Sequence, residues 1–272
     1  MRLFEIHDQE WFPQRLRDLT TDALQFTLGA VDLYQPVVNR LCTALRETRS
    51  RRIVDLCSGA GGPLISISGA LGQVNGMPVT IYLTDKYPHR NSLGMKKPGQ
   101  SVEFVPRAVD ATDIPEDLHG FRTIFSSFHH FRPQEARAIL QDAIRKGEGI
   151  GIFEGAGPHA LTLLMLFLIP FGPLLLTPFI RPFRWSRLLW TYVMPVIPFL
   201  LWFDGLMSCL RSYSLPELEG LVADLPRNDY EWKIGEERGG LVPIAVTYLI
   251  GYRNLSGRKP PELANLDAIL ES

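Results

Sequence analysis

The sequence predicts an α/β chain built on a mostly parallel sheet with helices on both faces. Three observations carry this. From Arg52 onward, short β-rich runs alternate with helical or turn segments, the pattern of βαβ units. The first of these runs passes directly into a glycine turn and a helix, within IVDLCSGAGG at residues 53–62. The length, 272 residues, supports one large domain or two small ones with a sizeable core and no staples.

The elements follow in order. Asp8–Arg49 reads as helical, with segments over Gln9–Phe26 and Val31–Glu47 and Gly29 between them. RRIVDL is the first strand and PLISISGAL the helix after the glycine turn. VTIYLTD and SVEFVPRAV are the second and third strands. RTIFSSF is the fourth, followed by the helix PQEARAILQDAIRKG with Pro133 near its start, and GIGIFEG is the fifth. SYSLPELEGLVADL reads as a helix. YEWKIGEER and VPIAVTYLIGYR close the pattern as strands joined through Gly239-Gly240 in a hairpin-like turn. The tail NLSGRKPPELANLDAILES begins as a linker and ends in a short helix. No fixed-period repeat or low-complexity tract interrupts this order.

Composition excludes several classes. Lys and Arg number 28 and Asp and Glu 29, a net charge of −1, which argues against a protein that binds by neutralising a phosphate backbone. With 46% hydrophobic and 21% charged residues, global disorder is excluded. The three cysteines, Cys42, Cys57 and Cys209, form no CxxC, so neither a disulfide framework nor a cysteine-built zinc site is expected, and no metal ligand set is assigned. The N-terminal stretch is polar and lacks the apolar region of a secretory signal, so a cytoplasmic location is expected.

The mean hydropathy of +0.03 conceals an asymmetry. Gly155–Ile180 holds no formally charged residue, and neither does Leu188–Phe203. The stretch 160–180 has the length of a membrane span, but Pro170, Pro173 and Pro178 interrupt it. Pro195 and Pro198 interrupt the second stretch taken over Leu188–Leu210, which also holds Asp204. Arg181, Arg184 and Arg187 lie between the two. Two full crossings would translocate these arginines, against the positive-inside rule. A monotopic hairpin that leaves them among lipid headgroups, with Trp185, Trp190, Tyr192 and Trp202 at the interface, avoids the conflict. A buried lid or a homodimer face is the alternative. The chain thus divides into an N-terminal helical cap (1–50), an α/β core (51–155 and 212–253), an apolar helical insertion (156–211) and a C-terminal tail (254–272). The insertion follows the fifth strand, beside the carboxyl edge where open α/β sheets bind ligands.

The chemistry concentrates at that edge. Gly59, Gly61 and Gly62 let the backbone turn with positive φ and approach a ligand, and the next helix offers free N–H groups. The second strand ends in Asp85, which can accept from both hydroxyls of a ribose. The third run ends in Asp110, which can accept from an adenine amino group while the Ala111 N–H faces a ring nitrogen. Three acids, Asp55, Asp85 and Asp110, thus end three consecutive strands.

On these residues the chain resembles the class I S-adenosylmethionine-dependent methyltransferases, in their small-molecule branch, over roughly 52–253 without the apolar block. The resemblance implies a Rossmann-like seven-stranded sheet in the order 3-2-1-4-5-7-6, its seventh strand antiparallel, and S-adenosyl-L-methionine as cofactor. It places Asp55, Cys57, Gly59 and Gly61 in the first motif, with Cys57 where the family has its first glycine and Asp55 near the methionine amino group. Asp85, with Lys86 beside it, would bind the ribose, and Asp110 with Ala111 the adenine. SSFHHF at 126–131 matches the fourth-strand motif, so that Phe125–His129, including Ser126 and Phe128, would line cofactor and acceptor. DLCSGAGG is also similar to the first motif of DNA cytosine-5 methyltransferases, but no Pro-Cys dipeptide occurs anywhere in the chain.

His129 and His130 are the candidate catalytic bases, and Glu154 at the end of strand five is a third candidate. Asp204, alone in an apolar stretch, is either functional or paired with Arg187 or Arg211. His7, Asp8, Trp11, Phe12 and Tyr34 are candidate pocket residues. The expected function is methyl transfer to a lipophilic small molecule, a quinone, isoprenoid, acyl or polyketide-like compound, by an enzyme on the cytoplasmic membrane face. A non-catalytic S-adenosylmethionine- or nucleotide-binding membrane module is the alternative. An integral membrane protein with a nucleotide domain and an NAD-linked oxidoreductase are weaker, the latter because the glycines lack GxGxxG spacing.

Overall fold

The computed structural model describes residues 4–9, 11–59, 61–71, 78–88, 102–157, 160–168, 170–226, 229–239 and 244–254. Its strands are β1 (Arg52–Leu56), β2 (Thr80–Asp85), β3 (Val102–Ala108), β4 (Phe121–Phe125), β5 (Ile150–Glu154), β6 (Tyr230–Arg238) and β7 (Ala245–Arg253). The helices are α1 (Gln14–Ala30), α2 (Val38–Glu47), α3 (Gly62–Leu71), α4 (Pro133–Lys146), α5 (Ala160–Leu166), α6 (Phe171–Leu176), α7 (Trp185–Leu188), α8 (Val196–Arg211) and α9 (Leu215–Ala223).

The seven strands form one sheet in the order 3-2-1-4-5-7-6. β1 pairs in parallel with β2 and β4, β2 with β3, and β4 with β5, whereas β7 runs antiparallel to both β5 and β6. The order and the reversed last strand are those expected. The central strands are apolar on both faces because helices cover both. Ile53, Phe125 and Phe153 pack with Leu41 and Leu45 of α2 and Leu64 of α3. Val54, Ile124 and Ile152 turn to the other face, against Ile139 and Leu140 of α4 and Leu218 of α9. The two-residue alternation of a strand separates the sets.

Both N-terminal helices begin later than expected. Pro13 is the N-cap of α1 and has no N–H to continue a helix toward Gln9, so Ile6–Asp8 forms a separate 3₁₀ turn. Asp32 takes φ +46°, and a 3₁₀ turn over Gln35–Val37 precedes α2. The Gly239-Gly240 turn and the 254–272 tail lie outside the described residues, apart from Gly239 and Asn254.

The apolar insertion is a hairpin only in outline, because both limbs are broken. Pro170 caps α6, Pro178 opens a 3₁₀ turn over Thr177–Phe179, and Pro195 caps α8. Among the described residues no single helix is long and apolar enough to cross a membrane. The pair Trp185–Val193 and Val196–Arg211 reaches that length and composition together, but bends by 73°. The insertion packs on α1, where Leu19 and Ala23 bury against Ile180, Ile197 and Leu201. The segment expected as one N-terminal cap therefore serves two layers, α2 on the sheet and α1 under the insertion.

Arg187 departs from its expected place among headgroups. Its side chain is 1% exposed, it donates to Asp22 at 2.6 Å, and it also donates to the carbonyls of Ile180 and Pro182. Arg181, by contrast, is exposed and Arg184 half-buried. The insertion exposes Phe167, Phe171, Leu175, Phe179, Trp185 and Val193.

Candidate active site at the carboxyl edge of the sheet

Strand ends β1, β2, β4 and β5, with the loop after β3, bring the expected residues to one edge. After β1 the chain turns through Cys57 at φ +57° and Gly59 at φ +54°, then Gly61 at φ +115°. A Cβ on Gly61 would run into the Ile65 side chain, whereas one on Gly59 would meet no atom of the described residues within 4 Å beyond its chain neighbours. Cys57 adopts, as a non-glycine residue, the left-handed backbone that the family's glycine would take without cost. Burial, then the charges of Asp85, Asp55 and Asp110, push its thiol well above the ordinary range, so it is a neutral thiol. Ala60 of the motif lies outside the described residues.

Asp55 is buried beneath this turn. It accepts from the hydroxyls of Ser58 at 2.7 Å and Thr123 at 2.6 Å. Burial pushes its carboxyl up to about 7 against those hydrogen bonds, with the Asp85 charge adding to the rise. Asp85 accepts from the N–H groups of Gly59 at 2.9 Å and Tyr87 at 2.8 Å, which ties the β2 end to the glycine turn. A small cleft lies there, lined by Gly59, Leu83, Thr84, Asp85 and Phe104. Asp110 accepts from the hydroxyl and N–H of Thr112 and pairs with Lys86 at 3.0 Å. Those bonds, Thr112 first, hold its carboxyl down at about 2. Ala111 is buried beside it.

After β4, Ser126 at φ +48° bonds to the hydroxyl of Tyr34, which reaches in from the α1–α2 connection and stands edge-on to Phe125. Phe128 differs from expectation. Its side chain is fully buried beside Phe131 and Tyr213, in the core under α4, and only its N–H faces the edge, donating to Glu154 at 2.6 Å. The 3₁₀ turn Phe128–His130 rotates this ring inward and leaves the two histidines at the edge.

His129, His130 and Glu154, separate candidates in the sequence, come together at this edge. His129 Nδ1 lies 2.8 Å from Glu154 Oε2. The fourth member, Glu5, carried no signal in the sequence: it is one acid in a polar N-terminal stretch, brought here by the 3₁₀ turn that follows it. Its carboxylate is buried, 3.4 Å from His129 Nε2 and 3.7 Å from His130 Nε2, and it also receives Ser208 and Arg211 of α8. Burial alone would depress His129, but the charges and hydrogen bonds of Glu154 and Glu5 outweigh it and raise the ring to about 10. Asp204, also on α8, accepts from the N–H groups of Ile6 at 2.7 Å and His7 at 3.2 Å. Its buried carboxylate thus fastens the segment that carries Glu5, while Arg187, one partner expected for it, is bonded to Asp22. Tyr34 is buried at the site and Phe12 is buried, whereas Trp11 is 70% exposed.

No protein-family model and no curated protein matches this chain. Solved structures do. The plantazolicin methyltransferase BpumL in complex with SAH aligns at 13% identity and TM-score 0.44, over 88% of this chain and 98% of that one. Human N-acetylserotonin methyltransferase in complex with SAM aligns at 13% and 0.45, over 86% of this chain and 56% of that one. An O-methyltransferase family protein from Burkholderia thailandensis aligns at 18% and 0.48, over 89% and 62%. At these identities and scores the likeness adds nothing to what the strand order itself says. By that order and its reversed seventh strand, the chain has the Rossmann-like fold of class I S-adenosylmethionine-dependent methyltransferases.

Proposed function

We propose that this chain is an S-adenosylmethionine-dependent methyltransferase acting on a lipophilic small molecule at a membrane surface. The observation that carries the reading is the placement of Asp55, Asp85 and Asp110 at the ends of three adjacent strands, around a turn where no described residue beyond its chain neighbours crowds Gly59. That geometry fits the cofactor. Asp85 and Lys86 would hold the ribose, Asp110 and Ala111 the adenine, and Cys57, Gly59 and Ser126 the methionine portion above Asp55. Bound there, the cofactor supplies an electrophilic methyl group. The chain's own part is to orient the acceptor, exclude water and take up a departing proton. The cluster of His129, His130, Glu154 and Glu5 lies at the same edge, with His130 the candidate for that last task, since His129 is held protonated by its two carboxylates.

The acceptor class is read from the insertion. Its exposed apolar side chains, with Arg181 and Arg184 in the same chain segment, suit a lipid interface with anionic headgroups. Docked there, the chain would take its acceptor from the bilayer without passing it through water. A homodimer through the same face is the competing use of that surface. A non-catalytic cofactor-binding module would share every feature named except turnover. The test is incubation of the purified chain with labelled S-adenosylmethionine and a lipid extract, with mass spectrometry of the product. A labelled lipophilic product supports the reading, and cofactor binding without any product supports the non-catalytic module.

A further inference from the structure

The histidine cluster has an oddity that hydrogen bonding alone does not account for. His129 makes a 2.8 Å contact through Nδ1 to Glu154, of normal length for a hydrogen bond. Its other nitrogen, Nε2, is buried and stands 3.4 Å from Glu5 Oε1, a longer contact than the one through Nδ1. His130 Nε2 stands 3.7 Å from the other oxygen of the same carboxylate. Nε2 of His129, Nε2 of His130 and the Glu5 carboxylate converge on one position, where a cation holds them together, either the second proton of the His129 ring or a metal ion.

The spacing says which cation. A shared proton draws nitrogen and oxygen to hydrogen-bond length, as on the Nδ1 side of the same ring. The 3.4 and 3.7 Å separations, each from a different Glu5 oxygen to a different histidine, are longer than that and leave room for an ion with ligand bonds of roughly 2.0–2.1 Å. The ligand atoms of Glu5, His129 and His130 all lie within 4.8 Å of one another. Two imidazoles and one carboxylate suit a first-row divalent ion such as Zn²⁺.

We propose that Glu5, His129 and His130 bind a divalent transition-metal ion, with Glu154 as the positioning carboxylate behind His129. Glu154 fixes the tautomer and the ring plane, the usual role of a carboxylate bonded to the far nitrogen of a ligating histidine. Three protein ligands leave a coordination position open, as in catalytic rather than structural sites. Arg211, 3.4 Å from Glu5 Oε1, opposes the ion by its charge. The site spans the N-terminal segment and the β4 end, so the ion would also hold that segment shut. Metal binding here does not rest on methyl transfer being the reaction.

The test uses the full chain freed of metal by chelation, titrated with Zn²⁺ by calorimetry and with Co²⁺ by visible absorption. One equivalent should bind, with the d–d bands of a low-coordinate Co²⁺ site. Glu5→Gln and His130→Ala should each weaken Zn²⁺ binding by 100-fold or more, Glu154→Gln by about 10–100-fold, and Arg211→Gln should tighten it. His130 is the half-buried member, so His130→Ala keeps the test decisive if another variant fails to fold, and thermal melts report folding throughout. Absence of stoichiometric binding, or unchanged affinity in a folded His130→Ala, overturns the proposal and leaves the cluster as a proton-held charge network.

Discussion

Arg187 and Asp22, 165 residues apart, form a 2.6 Å ion pair in which the arginine side chain is 1% exposed and the aspartate 27%. The pair clasps the apolar insertion to α1. Removing one partner strands a buried charge, whereas removing both does not. Asp22→Asn should lower unfolding free energy by about 2–3 kcal/mol, discounted from a fully buried pair because Asp22 is partly exposed. The double variant with Arg187→Met should recover part of the loss. Urea denaturation of the single and double variants checks both expectations.

Asp85 is the residue on which cofactor binding should depend most. It fastens the glycine turn through Gly59 and faces the cleft beside Phe104. Asp85→Ala should weaken S-adenosylmethionine binding by at least 100-fold in calorimetry. Unchanged affinity would remove the ribose assignment.

Asp55 makes stability depend on pH. Its carboxyl sits at about 7 in the fold and near 4 in an unfolded chain. Between those values the folded state holds a proton that the unfolded state has lost. The stabilisation is therefore complete below about pH 4 and disappears as pH rises through 7. Compared with Asp55→Asn, the ligand-free wild type should lose about 2–3 kcal/mol between pH 5 and pH 8. Urea melts across that range supply the comparison, and parallel curves for the two proteins would refute the assignment of a raised carboxyl.

Cys57 occupies a left-handed backbone position at φ +57°. A non-glycine residue there costs about 1–2 kcal/mol, offset in part by glycine's greater entropy when unfolded. Cys57→Gly should leave stability unchanged or raise it by up to about 1 kcal/mol, without loss of cofactor affinity. A destabilised Cys57→Gly would mean that the thiol's packing matters more than the backbone strain.

Trp185 is 78% exposed and Phe179 65%. Transfer of a large apolar side chain from water into an apolar phase is worth about 1.5–3 kcal/mol. Trp185→Ser and Phe179→Ser should each reduce binding to anionic lipid vesicles by about tenfold or more in sedimentation. Arg181→Gln should weaken it further at low salt and little at high salt. A wild-type chain that never sediments with vesicles would rule out docking and leave the face for a second copy.

The sheet was legible because each strand is a short apolar run bounded by turn residues. RRIVDL, VTIYLTD and GIGIFEG lose only a residue or two at their ends in the structure. The three edge acids were legible for the same reason, since a residue at the end of a parallel strand lies at the ligand edge wherever the helices pack. His129, His130 and Glu154 were legible as candidates, but their pairing was not, because β4 and β5 become neighbours only once the sheet forms.

The sequence by itself therefore determined the α/β class, the strand order expected from its motifs, the edge acids and the position of the apolar insertion. The class, the edge acids and the place of the insertion follow from local periodicity and spacing along the chain, and the strand order is what the family resemblance implied. Only the tertiary structure decided that Arg187 is buried against Asp22, that Phe128 turns into the core, that Asp204 fastens the N-terminal segment and that Glu5 faces two histidines. Each of these is a contact between residues distant along the chain, made when burial forces a charge or a ring to find its partner across the fold, and no local pattern encodes that choice.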